Sequence, residues 1–176
     1  MAADRKRIRA IALGGVLAAL GTAILWLGSM LPGYAIPTAA VAGLVSAAAV
    51  LQSGIGTGAA VYGVTALLSL LLLPQKIPAL WYLVLFGHYG VVKSMAERLP
   101  GRILEWCAKL AVYTCAFFVL KYLLSDAFAA LTALLPITML PLFFVGLAVF
   151  VCYDIGFSRL IGLYLRRMGR NSGKGV

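Results

Sequence analysis

The chain has 176 residues, 63% of them hydrophobic and only 11% charged, and its mean hydropathy of +1.02 exceeds what a single soluble core of this length can hide, since soluble domains are near half apolar and about a quarter charged. The net charge of +10 would suggest nucleic acid in a soluble protein, but the basic residues stand in blocks beside apolar runs. That is the pattern of cytoplasmic loops facing anionic lipid headgroups, so nucleic acid is set aside and an all-α integral membrane protein is predicted.

The opening stretch, "MAADRKRIRAIALGGVLAALGTAILWLGSM", has the basic start of a secretory signal, but its apolar run outlasts the roughly 7–15 residues of a signal core. It reads as a retained first span, from about Ile8 to Met30, preceded by a basic arm over residues 1–7 and stopped by "LPG". Within it Ala10, Gly14, Ala18 and Thr22 recur every four residues, with Gly15 and Ala19 one position along. Four residues turn a helix by about 400°, so these side chains form one smooth stripe on which another backbone can pack closely. The spacing alone leaves open whether that backbone is internal or belongs to a partner.

The second span is expected from about Ile36 to Leu51, ended by "QSGIG", and the third from about Thr57 to Leu73, closed by "PQKIP". Both are short and rich in Gly, Ala and Ser, so one bent hairpin is an alternative to two crossings. The fourth runs from about Ala79 to Met95, the fifth from about Ile103 to Leu124, and the sixth from about Leu135 to Leu163. A spanning helix needs about 20 mostly apolar residues, and six fit, giving a six-transmembrane-helix bundle over residues 8–163 with a basic tail over 164–176. The intervening "SDAFAALTALL" is too short to cross and reads as an amphipathic or re-entrant piece.

Two crossings at spans two and three make the charge balance close. Arg5, Lys6, Arg7 and Arg9, then Lys93, Arg98, Arg102 and Lys109, then Arg159, Arg166, Arg167, Arg170 and Lys174 fall on one side, leaving only Lys76 and Lys121 of the 15 basic residues on the other. The basic side is cytoplasmic by the positive-inside rule, so both termini are expected inside and the protein in the cell membrane.

The fourth span carries the densest chemistry. At helical spacing Tyr82, Phe86, Tyr89, Lys93 and Glu97 share one stripe, and Trp81, Leu85 and His88 a second. Lys93 is expected near the inner end, its ammonium reaching the headgroups and pairing with Glu97. Glu105 with Lys109, and Asp154 near Ser158 and Arg159, extend the same charged collar. His88, the only histidine, falls near mid-membrane, where polar groups face a cavity or another helix. It is either a hydrogen-bonded structural residue or a ligand-binding one. The outer rim holds Tyr34, Gln75, Lys76, Trp81, Tyr82, Lys121, Tyr122 and Asp126, readable as an aromatic belt with snorkelling lysines or as an apolar pocket with a few placed polar groups.

Cys107, Cys115 and Cys152 lack C-x-x-C spacing and read as buried small apolar residues, not a disulfide or zinc framework. There is no H-E-x-x-H, G-x-S-x-G, Walker lysine loop or paired intramembrane carboxylate, so no enzyme, cofactor or metal centre is expected.

Taken together, the basic arm, the small-residue first helix, "LGSMLPGY", the Gly/Ala-rich second and third spans, "LLSLLLLP" and three further spans resemble the substrate-binding S component of energy-coupling factor transporters. The resemblance covers nearly the whole chain in hydropathy and length. It implies six helices, capture of a vitamin or metal ion from the outer side, and docking to a membrane coupling subunit driven by two ATPases. In that family an alanine-x-x-x-alanine pattern on the first helix contacts the coupling subunit; the matching positions are Gly14 and Ala18, with Ala10 one turn earlier. The resemblance makes Tyr34, Lys76, Trp81, Tyr82, Lys121 and Asp126 pocket candidates by location, and His88 joins them by its depth. A non-transporting scaffold or regulator of a membrane assembly, acting through the basic collar and tail, is the alternative.

Overall fold

The computed structural model describes residues 2–96, 101–126, 128–129 and 138–172. Those residues are helical apart from short connections, with no strand among them. The chain forms two compact units, divided after Ser125.

In the first unit, α1 spans Ala2–Met30, α2 Ala35–Ser53 and α3 Ile55–Leu72. The basic arm is thus the first turns of α1, not a separate segment. Helices α2 and α3 are each long and apolar enough to cross a membrane, as are Arg7–Met30 of α1, Ile103–Leu123 and Met139–Gly162. A single residue, Gly54, joins α2 to α3. Its φ of +90° lies where a Cβ is strained, so glycine alone turns the chain here without penalty. The Gly54 N–H donates to the Val50 carbonyl at 2.8 Å, and the Gly54 carbonyl accepts from the Gly58 N–H at 3.1 Å, so one residue ends one helix and starts the next.

The expected fourth span is not one helix. It consists of α4 (Ile77–Trp81), a π-helix (Tyr82–Phe86) and α5 (Tyr89–Ala96). None of these pieces has the length of a crossing, although the stretch from Ile77 to Ala96 does. The over-wide turn closes through the Gly87 N–H on the Tyr82 carbonyl at 2.7 Å, and a tight turn follows in which the Val91 N–H donates to the His88 carbonyl at 3.0 Å. A wide turn followed by a narrow one restores the average period. The predicted stripe therefore survives: Tyr82, Phe86, Tyr89 and Lys93 are all buried. Glu97 lies outside the described residues.

The last helix of this unit is α6 (Arg102–Leu123). Helix α2 is central, packing against α1, α3, α4, the π-helix and α5, while α6 packs on α5 and the π-helix. The buried face of α2 is made of small residues, Ala39, Ala42, Ser46, Ala47 and Ala49, whereas many large aliphatic side chains point outward, as with Leu71 at 68% and Ile11 at 67% exposure. A protein folded in water places them the other way round. Small inner residues and large outer ones are what close helix packing within hydrocarbon selects. The long apolar helices are compatible with a multi-pass membrane protein.

The second unit contains α7 (Met139–Ser172). Phe150, Asp154 and Phe157 recur at i, i+4 and i+7 and are buried, and the Ser158 hydroxyl donates to the Asp154 carbonyl at 2.9 Å. Of the expected re-entrant piece, Ser125, Asp126, Phe128 and Ala129 are helical; the remainder lies outside the described residues.

Two expectations need correcting. All three cysteines are exposed on the protein surface, because a small apolar side chain can as well face hydrocarbon as a neighbouring helix. Lys93 is 1% exposed, so its ammonium does not sit at an open rim. Lys109 is buried too, its Nζ donating to Glu105 Oε1 at 2.6 Å and lying 5.3 Å from the Trp106 ring centroid. The expected i, i+4 pair forms there.

Candidate functional site

The rim residues stand on separate elements. Tyr34, at the start of α2, is 56% exposed. Lys76 precedes α4, and its ammonium donates to the Leu73 carbonyl at 2.6 Å and the Leu71 carbonyl at 3.5 Å. It caps the end of α3, where unpaired carbonyls and the helix dipole favour a cation. Lys121 is half-buried in the last turn of α6, and Asp126 is exposed in the second unit.

Deeper in the first unit, Trp81 is half-buried and Tyr82 is 0% exposed. Tyr82 and His88 meet around a residue the sequence reading passed over, Tyr62 on α3. The Tyr62 ring centroid lies 5.9 Å from that of Tyr82 and 5.9 Å from that of His88, the latter edge-on. A π-helix breaks the usual pairing of carbonyls with amides, and side chains from neighbouring helices answer for it here. The Tyr62 hydroxyl donates to the Leu83 carbonyl at 2.9 Å. From α2 the Ser46 hydroxyl lies 2.8 Å from the Gly87 carbonyl and 2.9 Å from its own-helix acceptor, the Gly43 carbonyl. The signal for Tyr62, Ser46 and Thr65 was their polarity inside spans otherwise made of Gly, Ala and Leu.

A second feature lies between α1 and α3. A groove of about 770 Å³ is lined by Ala10, Gly14, Gly15 and Ala18 on one side and Gly56, Thr57, Ala60, Val61 and Val64 on the other, with Arg7 and Ser53 at one end. The small-residue stripe divides along its length. Ala18 and Thr22 are buried, and the Thr65 hydroxyl of α3 reaches the Ala18 carbonyl at 3.4 Å. Toward the N-terminus the stripe stays open: a Cβ on Gly15 would meet nothing within 4 Å.

Among the described residues no three His, Cys, Asp or Glu side chains are grouped to hold a metal ion. No family model matches the chain, and neither a curated protein nor a solved structure shows significant similarity to it.

Proposed function

We propose that this is a six-crossing membrane protein with both termini cytoplasmic, serving as the substrate-binding subunit of a small-molecule uptake transporter and carrying no ATPase of its own. Ile77–Ala96 supplies the sixth crossing in broken form. The observation that carries the reading is the open half of the small-residue stripe. In hydrocarbon no hydrophobic effect drives helices together, so association rests on close backbone approach between small residues. The floor of Ala10, Gly14, Gly15, Gly56 and Ala60 offers that approach over about one and a half helical turns. Its occupant in this reading is an apolar helix of a membrane coupling subunit, which links the chain to ATPase subunits as in energy-coupling factor transporters. The ligand, vitamin-like or a metal ion, enters from the end carrying Tyr34, Lys76, Trp81, Tyr82 and Lys121, with His88 deeper.

The test fills the groove. A Cβ on Gly15 would meet nothing within 4 Å, so Gly15→Leu projects into the open space of the groove. Purified from its native membrane, the wild type brings a coupling subunit and ATPase; Gly15→Leu loses both, while Gly63→Leu, at an open position on α3 outside the groove, retains both. Uptake follows the same order. A wild type that brings no ATPase and retains no ligand overturns the reading in favour of the scaffold alternative.

A further inference from the structure

The groove between α1 and α3 has a charged end and a limited depth. The two helices run side by side in one direction: a Cβ on Gly14 would meet the Thr57 and Val61 methyl groups at 3.5 Å, and one on Gly21 the Thr65 methyl at 3.1 Å. Arg7, where the lining of α1 begins, therefore stands at the end of the groove that holds Ser53 and the first residues of α3. That end favours an anion. Arg7 is exposed, and residues 1–9 carry four basic side chains against the one carboxylate of Asp4. The Gly58 N–H bonds the Gly54 carbonyl at 3.1 Å, so the amides of Ile55, Gly56 and Thr57 precede the first bond of α3 and lie at the positive end of its dipole. From Arg7 to Ala18 the lining rises about 16 Å at 1.5 Å per residue, close to half of the roughly 30 Å hydrocarbon thickness. Beyond that depth the helices close: Ala18 and Thr22 are buried, and the Thr65 hydroxyl reaches the Ala18 carbonyl at 3.4 Å.

We propose that this groove seats a phospholipid of net negative headgroup, drawn from the leaflet on the Arg7 side, with its phosphate at Arg7 and one acyl chain along the small-residue floor. Depth and charge select this occupant. A cleft open over the depth of one leaflet and shut beyond it matches a chain that ends at mid-membrane; a crossing helix runs about twice as far and can use only part of it. A guanidinium grips phosphate oxygens in pairs, and the basic arm around it draws anionic headgroups in preference to zwitterionic ones. The floor has room on both walls, since a Cβ on Gly15 or on Gly56 would meet nothing within 4 Å. A methylene chain laid there restores the dispersion contacts that a bare groove lacks. The groove volume of about 770 Å³ falls within the range of pockets that enclose a small-molecule ligand, about 300–1,000 Å³. The inference goes beyond the transport reading and stands without it. Where both hold, lipid and coupling-subunit helix compete for one floor, and the lipid must leave before the helix docks.

The test places the full-length protein in nanodiscs of phosphatidylcholine containing phosphatidylglycerol and releases it into mild detergent for native mass spectrometry. The wild type is expected to retain a single phosphatidylglycerol in preference to phosphatidylcholine. Arg7→Gln should cut that retention about fivefold, the share of one basic residue at an anionic surface. Arg9→Gln, on a different face of α1, should leave it near the wild-type level. Gly15→Leu should abolish it by filling the groove, with Gly63→Leu unchanged. Arg7 and Gly15 are both exposed, so the variants fold, and equal Tm values in lipid-free detergent check this. Added phosphatidylglycerol should then raise the Tm of the wild type but not of Arg7→Gln, because a ligand bound only by the folded state stabilises it. Retention without preference for phosphatidylglycerol overturns the proposal. Equal losses in Arg7→Gln and Arg9→Gln overturn it too, since they mark a diffuse basic surface, as does a Gly15→Leu chain that keeps the lipid outside the groove. The transport reading fails separately: a wild type that holds phosphatidylglycerol but brings no ATPase from its native membrane refutes that reading and leaves the lipid site in place.

Discussion

At the scale of the residue, glycine separates two roles within one type of helix. In an exposed helix interior Gly→Ala gains up to about 1 kcal/mol from backbone entropy. Gly63 on α3 has open space where a Cβ would stand, so Gly63→Ala should show that gain. Gly43 on α2 faces the Phe86 carbonyl oxygen, which a Cβ would approach to 2.7 Å. Backbone on both sides cannot yield as a side-chain end can, so Gly43→Ala should cost about 1–3 kcal/mol, the usual range for overpacking. Thermal unfolding of the two variants in the same detergent should give shifts of opposite sign. Nothing in the sequence distinguished these glycines, since both sit in Gly/Ala-rich apolar runs and the difference lies in which backbone passes on the other side. Lys76 teaches the same lesson. Its scarcity on the outer rim made it a ligand candidate, and the structure has it donating to the Leu73 carbonyl, a contact that depends on how the turn after α3 closes.

Among the elements, the π-helix is where local sequence was least informative. "YLVLF" is as apolar as a run of α-helix, and no glycine or proline marks the change of winding inside it. The periodicity of Tyr82, Phe86, Tyr89 and Lys93 was legible nonetheless, because the tight turn at His88 returns the buried face to its original direction. What holds the wide turn is tertiary: Tyr62 on α3 donates to the Leu83 carbonyl and Ser46 on α2 to the Gly87 carbonyl. Tyr62→Phe and Ser46→Ala each strip a donor from a carbonyl inside the bundle. Each is expected to cost about 1–3 kcal/mol, the desolvation penalty of a buried group left without its partner. Amide hydrogen exchange should localise the damage, with faster exchange from Tyr82 to Val92 and unchanged protection in α6. Equal acceleration throughout the first unit would show that the two bonds support the whole bundle and not the π-helix.

For the whole molecule, the same apolar faces that made the class of protein readable from composition also hid its internal order. Span boundaries for α2, α3 and α6 fell within two residues of the expected ones, since Gly, Pro and charge punctuate them. The small-residue stripe was legible as a stripe, but its division into a packed half at Ala18 and an open half at Gly15 depends on how far α3 runs alongside α1. Sidedness is the remaining global property, and it can be read chemically. Gln52 at the end of α2 and Gln75 in the turn before α4 are both exposed polar residues at successive chain reversals, hence at opposite ends of the bundle. In the proposed topology Gln75 faces the medium and Gln52 the cytoplasm, because the Arg5, Arg7 and Arg9 cluster shares the Gln52 end and basic residues are retained inside. In a variant with Cys107, Cys115 and Cys152 replaced by alanine, a single cysteine at Gln75 should react with a membrane-impermeant maleimide on intact cells. One at Gln52 should react only after permeabilisation. The native cysteines supply the complementary measurement: each is exposed on the protein surface, so in an aqueous environment all three would be modified readily. Surrounded by hydrocarbon they should resist the polar reagent until the membrane is dissolved in a denaturing detergent. Rapid modification of Cys115 in intact membranes would contradict the proposed crossing by α6, and labelling of Gln52→Cys from the medium would reverse the orientation on which ligand entry at the Tyr34 end depends.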